Sequence, residues 1–193
     1  MSLLLIFVKN PVKGTVKTRI AKTAGDDEAL RIYLELLKHT RNVTRQIEAN
    51  RWIYYSTSIE DNDGWSIDEF SKKVQVIGDL GHKMQSAFEE GLKTYDKVVI
   101  IGSDCPLLTP EIINQAFESL NQHKVVFGPA NDGGYYLLGM TEMVDSIFNN
   151  KPWSTPLLLD ITCKELENQS ISYALLEELP DVDHEEDWKK YGW

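Results

Sequence analysis

Apolar segments of strand length alternate with amphipathic segments of helix length along almost the whole chain. The clearest strands are two continuous apolar runs, Leu3–Val8 and Lys97–Gly102, a pattern typical of strands that are covered on both faces. Strands that alternate with helices favour a mostly parallel sheet with helices on both faces, which is an α/β fold. Further strands are predicted at Arg51–Thr57, Val74–Ile77, Lys124–Phe127, Tyr135–Leu138 and Ile171–Leu175.

Helices are predicted between these strands. The longest spans Asp26–Asn50, and another spans His82–Tyr95. The pair Thr109–Pro110 is typical of an N-cap followed by the first helical position, and Ser154–Pro156 predicts a further helix start. A short helix is expected near the carboxyl terminus. Because no linker or repeat interrupts the pattern, residues 1–193 are expected to form one domain.

The charge balance and the cysteines exclude several classes of protein. The net charge of −10 disfavours binding to long nucleic acids, which requires a broad basic surface. No apolar run reaches the roughly 18–20 residues that span a membrane, and Leu3–Val8 is too short for a signal-peptide core. We therefore expect a cytoplasmic location. The two cysteines, Cys105 and Cys163, lack the spacing of a disulfide framework or a zinc site.

The amino-terminal segment reverses the charge of the rest of the chain. The first 25 residues contain five Lys or Arg and no Asp or Glu, and most of these cations directly follow the first predicted strand. An α/β protein holds phosphate-bearing ligands at such strand ends, where Lys is a point charge and Arg binds with two donors. The candidate phosphate-binding residues are therefore Lys9, Gly14, Lys17 and Arg19. A solvated basic surface is the alternative interpretation.

A carboxylate follows the second apolar run, in the sequence Gly102-Ser-Asp-Cys-Pro106. Mg²⁺ or Mn²⁺ typically takes one or two protein carboxylates together with substrate phosphates. Asp104 is therefore a candidate metal ligand and catalytic residue. The alternative is an Asp that caps a turn before the next helix. Cys105 is expected to be a small packed residue.

A glycine-rich loop lies between two later strands. Gly133 and Gly134 follow Asp132 and let a ligand approach the main chain closely. We expect Asn131, Gly133, Gly134 and Tyr135 to form a substrate loop, with Asp132 as the candidate base. An ordinary hairpin turn at Asp-Gly is the alternative.

Two further motifs are candidates for the site. Asp181 and Asp183 precede an acidic helix start and are expected to approach the metal, with Asp183 as a candidate ligand. Gly78-Asp-Leu-Gly81 opens a helix whose backbone amides can receive an anion, so Gly78 and Asp79 are candidate phosphate-binding residues. A tight strand-to-helix turn is an equally good interpretation of this last motif.

Together these motifs resemble a family of small bacterial proteins with a GT-A-like, nucleotide-diphospho-sugar transferase fold. The resemblance covers nearly the whole chain, in the right order. The sequence departs from the family by Gly102-Ser-Asp104 in place of a DxD motif and by His82-Lys83 in place of Glu-Arg. The matching segments are Phe7–Pro11, Gly14–Arg19, Gly78–Gly81, Ile101–Leu108, Gly128–Tyr136 and Asp181–Asp183.

The resemblance implies a nucleotide over the amino-terminal half, with Lys17 and Arg19 near its phosphates and Asp104 in the place of the last Asp of a DxD motif. The expected activity is metal-dependent glycosyl transfer from a nucleotide-diphospho-sugar to an unidentified acceptor. Nucleotidyl transfer from a nucleoside triphosphate to a phosphorylated acceptor is the second hypothesis. The third is a non-catalytic nucleotide-binding protein of the same fold, which the departures from the family motifs support.

Overall fold

The apolar runs form the centre of a seven-stranded sheet in the computed structural model, which describes residues 1–193. The sheet order is β3-β2-β1-β4-β6-β5-β7. All neighbouring strands are parallel except the two pairs that involve β6, which is antiparallel to both β4 and β5. The strands are β1 (Ser2–Val8), β2 (Asn50–Tyr55), β3 (Ser71–Val74), β4 (Lys97–Ile101), β5 (Val125–Pro129), β6 (Tyr135–Met140) and β7 (Tyr173–Leu175).

Six α-helices and one short 3₁₀-helix, Asp145–Ile147, connect or follow the strands. Thr109 caps α4 by accepting a hydrogen bond from the backbone N–H of Ile112, as its position before Pro110 predicts. No helix combines the length and the apolar character that crossing a membrane requires. The helices are α1 (Thr18–Ala24), α2 (Asp26–Thr44), α3 (Leu80–Gly91), α4 (Pro110–Ser119), α5 (Leu158–Asn168) and α6 (Glu185–Tyr191).

The two faces of the sheet carry separate cores because side chains alternate along each strand. Leu4 and Ile6 of β1 belong to a cluster of 24 buried residues that includes residues of α2 and α4. Leu3 and Leu5 belong to a cluster of 17 that includes residues of α3 and α5. The sheet is therefore covered on both faces, and the prediction of a mostly parallel α/β fold is confirmed.

Several predicted boundaries were wrong. The third strand is Ser71–Val74 rather than Val74–Ile77, because the polar sequence Ser-Lys-Lys-Val pairs with β2 as an edge strand. The fifth helix begins at Leu158, beyond the turn at Ser154–Pro156. A seven-residue helix, α1, starts inside the basic segment and was not predicted at all.

The ends of two helices also differ from the predicted positions. The long helix α2 stops at Thr44, and Asn50 already belongs to β2. The helix predicted from His82 begins two residues earlier, at Leu80, and ends at Gly91.

The order in which the strands are added to the sheet changes sides at β1. It passes from β1 to β2 and β3 on one side, and then places β4 on the other side of β1. Parallel sheets bind ligands outside the carboxyl ends of the strands at such a switch in strand order. The segments that follow β1 and β4 therefore flank the expected ligand position.

Candidate functional site

A cavity of about 670 Å³ opens at this edge of the sheet. Its wall is formed by the ends of β1 and β4, the start of β6, the first turns of α3 and α5, and the segment before α6. Its size is within the usual range of roughly 300–1,000 Å³ for small-molecule sites. The charged residues that line it are Lys9, Lys17, Arg19, Lys83, Asp104, Asp132, Asp181 and Asp183.

Lys17 lies at the centre of the polar contacts in the cavity. It has a left-handed backbone conformation (φ 46°, ψ 45°) at the N-cap of α1, and only 6 % of its side chain is exposed. Its Nζ lies 2.6 Å from Oδ1 of Asp104 and donates to the carbonyl oxygen of Val182 at 2.6 Å. A non-glycine residue in this conformation is uncommon and is typical of functional sites.

The segment before α6 is attached to the loop that follows β4. The backbone N–H of Val182 donates to the carbonyl oxygen of Asp104 at 3.0 Å. On the other side, Arg19 pairs with Asp183, with 2.5 Å between Nη1 and Oδ2. The carboxylate of Asp187 accepts from the backbone N–H of Asp183 and helps to fix the same segment. Three distant parts of the sequence are thus held together at one wall of the cavity.

The environment of the Asp181 carboxyl group disfavours its ionised form. Burial, followed by the nearby charges of Asp104 and Asp132, raises the pKa of Asp181 to about 7, while Lys17 opposes this effect. Asp181 therefore exchanges its proton near neutral pH, whereas Asp183 is paired with Arg19. The sequence indicated both residues through the Asp-Val-Asp motif, but it did not separate their environments.

The glycine-rich loop has a conformation that requires glycine at position 133. Gly133 has φ +85°, and a Cβ at this position would lie 2.1 Å from the carbonyl oxygen of Pro156. The backbone N–H of Gly134 donates to Oδ1 of Asp132 at 2.8 Å. Asp132, Gly134 and Tyr135 line the cavity, and the predicted loop residues Asn131 and Gly133 do not.

Three other candidate residues lie outside the cavity lining. Gly14 occupies a turn with φ +80° before α1. Asp79 caps α3, since its Oδ1 accepts from the backbone N–H of His82 at 2.8 Å, and Gly78 precedes it in the same turn. The structure instead brings Lys83, one turn further along α3, to the cavity. Its position in the motif after Gly81 was the signal that could have found it.

A buried asparagine supports the wall at the end of β1. Asn10 accepts hydrogen bonds at Oδ1 from the backbone N–H and the hydroxyl of Thr57, at 3.0 and 2.8 Å. Its Nδ2 donates to the carbonyl oxygen of Ser58 at 2.8 Å and to Oε1 of Glu60 at 2.9 Å. These contacts fix the loop after β2 beside Lys9, which lines the cavity.

The acidic residues fit a divalent cation that is bound together with phosphate. No group of three His, Cys, Asp or Glu side chains forms a ready-made metal centre. Nucleotide-bound Mg²⁺ or Mn²⁺ needs only one or two carboxylates. Four carboxylates line the cavity, and only Asp104 and Asp183 have a cationic partner in Lys17 and Arg19. Burial is the main cause of the raised pKa of Asp181, and the neighbouring carboxylates add to it; a divalent cation beside Asp104 would reduce this second contribution.

Solved structures with the same fold confirm the architecture that the motifs predicted. A protein from Desulfovibrio desulfuricans, described as a proposed nucleotide-diphospho-sugar transferase, is 28% identical with a TM-score of 0.88, covering 95% of this chain and 82% of its own. The inositol-1-phosphate CTP transferase from T. maritima is 13% identical with a TM-score of 0.64, covering 98% and 93%. Rv0371c from Mycobacterium tuberculosis, in complex with manganese, is 12% identical with a TM-score of 0.58, covering 98% and 96%.

The sequence comparisons cover less of the chain than the structural ones. No curated protein sequence matches the chain significantly. One family matches residues 39–155, which include α3, the Asp104 loop and the glycine-rich loop. The chain therefore belongs to the bacterial family DUF2064, which is described as an uncharacterized protein conserved in bacteria.

Proposed function

We propose that this protein transfers a group from a nucleotide-activated donor, and that the group is a glycosyl residue from a nucleotide-diphospho-sugar. The observation that carries the proposal is the position of Asp104 and Lys17 in the cavity at the switch in strand order. The high structural similarity to the Desulfovibrio desulfuricans protein supports the same donor class.

On this proposal, the donor diphosphate lies between the ends of β1 and β4. Asp104, together with Asp181, would hold Mg²⁺ or Mn²⁺ against the phosphates; Asp181 takes the place of the predicted ligand Asp183, whose carboxylate pairs with Arg19. The bound ion would stabilise the negative charge of the departing nucleoside diphosphate. Lys17 holds the Asp104 carboxylate in place. Arg19 and Lys9 also line this part of the cavity and are the cations that would approach the phosphates.

The acceptor reacts on the side of the glycine-rich loop. Asp132 is exposed on this loop and is the candidate base. In the transfer, an acceptor oxygen forms a bond to the anomeric carbon of the sugar and loses its proton to Asp132. The bond between that carbon and the phosphate oxygen breaks, and its electron pair leaves with the nucleoside diphosphate.

Nucleotidyl transfer is the second candidate, and the fold similarity to the inositol-1-phosphate CTP transferase favours it. In that reaction a phosphorylated acceptor attacks the α-phosphate of a triphosphate and pyrophosphate leaves, so more negative charge has to be balanced. Two of the cavity's cations, Lys17 and Arg19, already pair with carboxylates. Because their charge is already balanced by carboxylates, less positive charge is left for the phosphates, which supports a diphosphate donor over a triphosphate.

The products distinguish the two reactions. We would incubate the protein with nucleotide sugars, and separately with nucleoside triphosphates and phosphorylated acceptors, in the presence of Mn²⁺ or Mg²⁺. Release of a free nucleoside diphosphate supports glycosyl transfer, and release of pyrophosphate supports nucleotidyl transfer. Nucleotide binding without either product would favour the non-catalytic alternative.

A matched pair of variants tests the site itself. Asp104→Asn should abolish the increase in melting temperature that nucleotide and Mn²⁺ give together, because it removes a carboxylate from the cavity. Asp68→Asn changes an exposed carboxylate outside the cavity lining and should leave that increase intact. Equal behaviour of the two variants would contradict the assignment of Asp104.

A further inference from the structure

Residues 76–80, which lead from β3 into the first residue of α3, expose three large aliphatic side chains. Ile77 is 98% exposed, Leu80 49% and Val76 39%. These three large aliphatic side chains lie within five consecutive residues, 76–80, so the exposed apolar surface is concentrated in one short segment. Contiguous exposed apolar patches are typical of sites that bind a partner or a ligand.

This patch lies on the rim of the cavity. Gln75 and Leu80, which flank Val76 and Ile77 in the sequence, both line the cavity. Val76 and Ile77 are not part of the lining, and we place them at its rim because both of their flanking residues reach the cavity. Leu80 belongs to both the patch and the cavity wall. Trp153 continues the apolar wall and packs so closely on α3 that a Cβ at Gly81 would lie 2.6 Å from its ring.

The same wall carries an unpaired cation. Lys83 lies three residues after Leu80 on α3, which places both side chains on one face of the helix. Both line the cavity. Unlike Lys17 and Arg19, Lys83 has no carboxylate within ion-pair distance and its ammonium makes no hydrogen bond. The nearest acidic residue in sequence, Asp79, is directed to the backbone of His82.

From this combination, and resting on the proposed transferase function, we propose that this rim binds the acceptor, and that the acceptor is a small anion with an apolar portion. Its carboxylate or phosphate contacts Lys83, and its apolar portion covers Leu80 and Ile77. The acceptor is a free molecule rather than a lipid in a bilayer, because a net charge of −10 repels anionic membrane surfaces.

Octyl phosphate is a suitable probe, because it combines the two features in one molecule. Calorimetric titration of the full chain should show at least tenfold tighter binding of octyl phosphate than of inorganic phosphate or of neutral octyl glucoside. Binding of octyl phosphate no tighter than that of inorganic phosphate would overturn the proposal.

Substitutions at the rim test whether octyl phosphate binds at these residues. Lys83→Gln should weaken octyl phosphate binding at least tenfold, and Ile77→Ser should weaken it several-fold. Lys93→Gln changes an exposed cation outside the cavity lining and should have no effect. Both rim substitutions are of surface or half-buried side chains, so a circular dichroism spectrum identical to the wild type shows that the fold is retained. Unchanged octyl phosphate binding in Lys83→Gln and Ile77→Ser would refute the assignment.

Two further measurements separate this inference from its alternatives. Sedimentation with phosphatidylglycerol vesicles should leave the protein in the supernatant, and vesicle binding that Ile77→Ser abolishes would overturn the choice of a free acceptor. Nucleotide binding with Mn²⁺ is measured on the wild type separately. If octyl phosphate binds at Lys83 and no nucleotide binds, the proposed function fails while the rim site stands. If nucleotide binds and octyl phosphate does not, only the rim site fails.

Discussion

The ammonium group of Lys17 lies 2.6 Å from the carboxylate of Asp104 and is almost completely buried. It also donates to the backbone carbonyl of Val182, so one cation joins the segments after β1 and β4 to the segment before α6. The geometry therefore gives Lys17 a role in positioning Asp104. Direct contact between Lys17 and a nucleotide phosphate stays a prediction.

Replacement of Lys17 should destabilise the folded protein. In Lys17→Met, the Val182 carbonyl loses a hydrogen bond and Asp104 loses its counter-ion, although Asp104 stays partly hydrated. We expect the free energy of unfolding to fall by about 1–3 kcal/mol, measured by urea denaturation. The exposed pair between Lys13 and Asp27 provides the control, and Lys13→Met should leave the stability nearly unchanged. Similar losses in both variants would contradict a special role for Lys17.

The pKa of Asp181 predicts a pH-dependent contribution to stability. Its folded-state value of about 7 is above the ordinary value of 3.8, so between these pH values the folded state holds a proton that the unfolded state has released. The stabilisation from this proton is complete below the unfolded pKa and is lost as the pH rises through 7. Asp181→Asn should therefore gain in melting temperature relative to the wild type as the pH is raised.

Melting temperatures at about pH 5 and about pH 8, in the presence of EDTA, test this expectation. EDTA removes divalent cations that would otherwise bind the ionised carboxylates. The difference in melting temperature between the variant and the wild type removes the contribution of every other titrating group that the substitution leaves unchanged. A difference that stays constant between the two pH values would show that Asp181 titrates normally.

The fold was predictable because its central strands are continuous apolar runs. Leu3–Val8 and Lys97–Gly102 were each located within one residue of β1 and β4. The polar edge strand β3 was misplaced, because an edge strand with exposed side chains needs no apolar pattern. The helix α1 was missed, because it begins at the left-handed residue Lys17 without a capping side chain.

The candidate site was predictable only in part. The position of Asp104 followed from a local pattern, a carboxylate directly after a buried strand. The contacts of Lys17 with Asp104 and of Arg19 with Asp183 join residues that are far apart in the sequence, and no local pattern indicates them. For the same reason, the sequence could not show that Asp181, rather than Asp183, lies without a cationic partner of its own.

The side chain of Asn10 should be important for stability although it carries no charge. It is buried and makes hydrogen bonds with Thr57, Ser58 and Glu60. Asn10→Ala would leave these groups without partners and should lower the free energy of unfolding by roughly 2–3 kcal/mol. Asn62→Ala, at an exposed position in the following loop, should change it little. Hydrogen exchange in the loop after β2 should increase only in Asn10→Ala.

A comparison of two glycines tests how tightly the glycine-rich loop is held. Gly133 and Gly25 both have φ +85°, but a Cβ at Gly25 has no neighbour within 4 Å, whereas one at Gly133 meets Pro156. Gly25 has ψ 161°, a combination with its positive φ that other residues rarely adopt, so Gly25→Ala should cost only a backbone strain of roughly 1–3 kcal/mol. Gly133→Ala adds to the strain of a positive φ a steric overlap with Pro156, which forces the loop and the segment before α5 apart. Gly133→Ala should lower the melting temperature clearly more than Gly25→Ala.

Because Asp132 and Gly134 line the cavity, Gly133→Ala should also weaken nucleotide-sugar binding, which Gly25→Ala should leave unchanged. Equal effects of the two substitutions on melting temperature would mean that the contact with Pro156 does not constrain the loop.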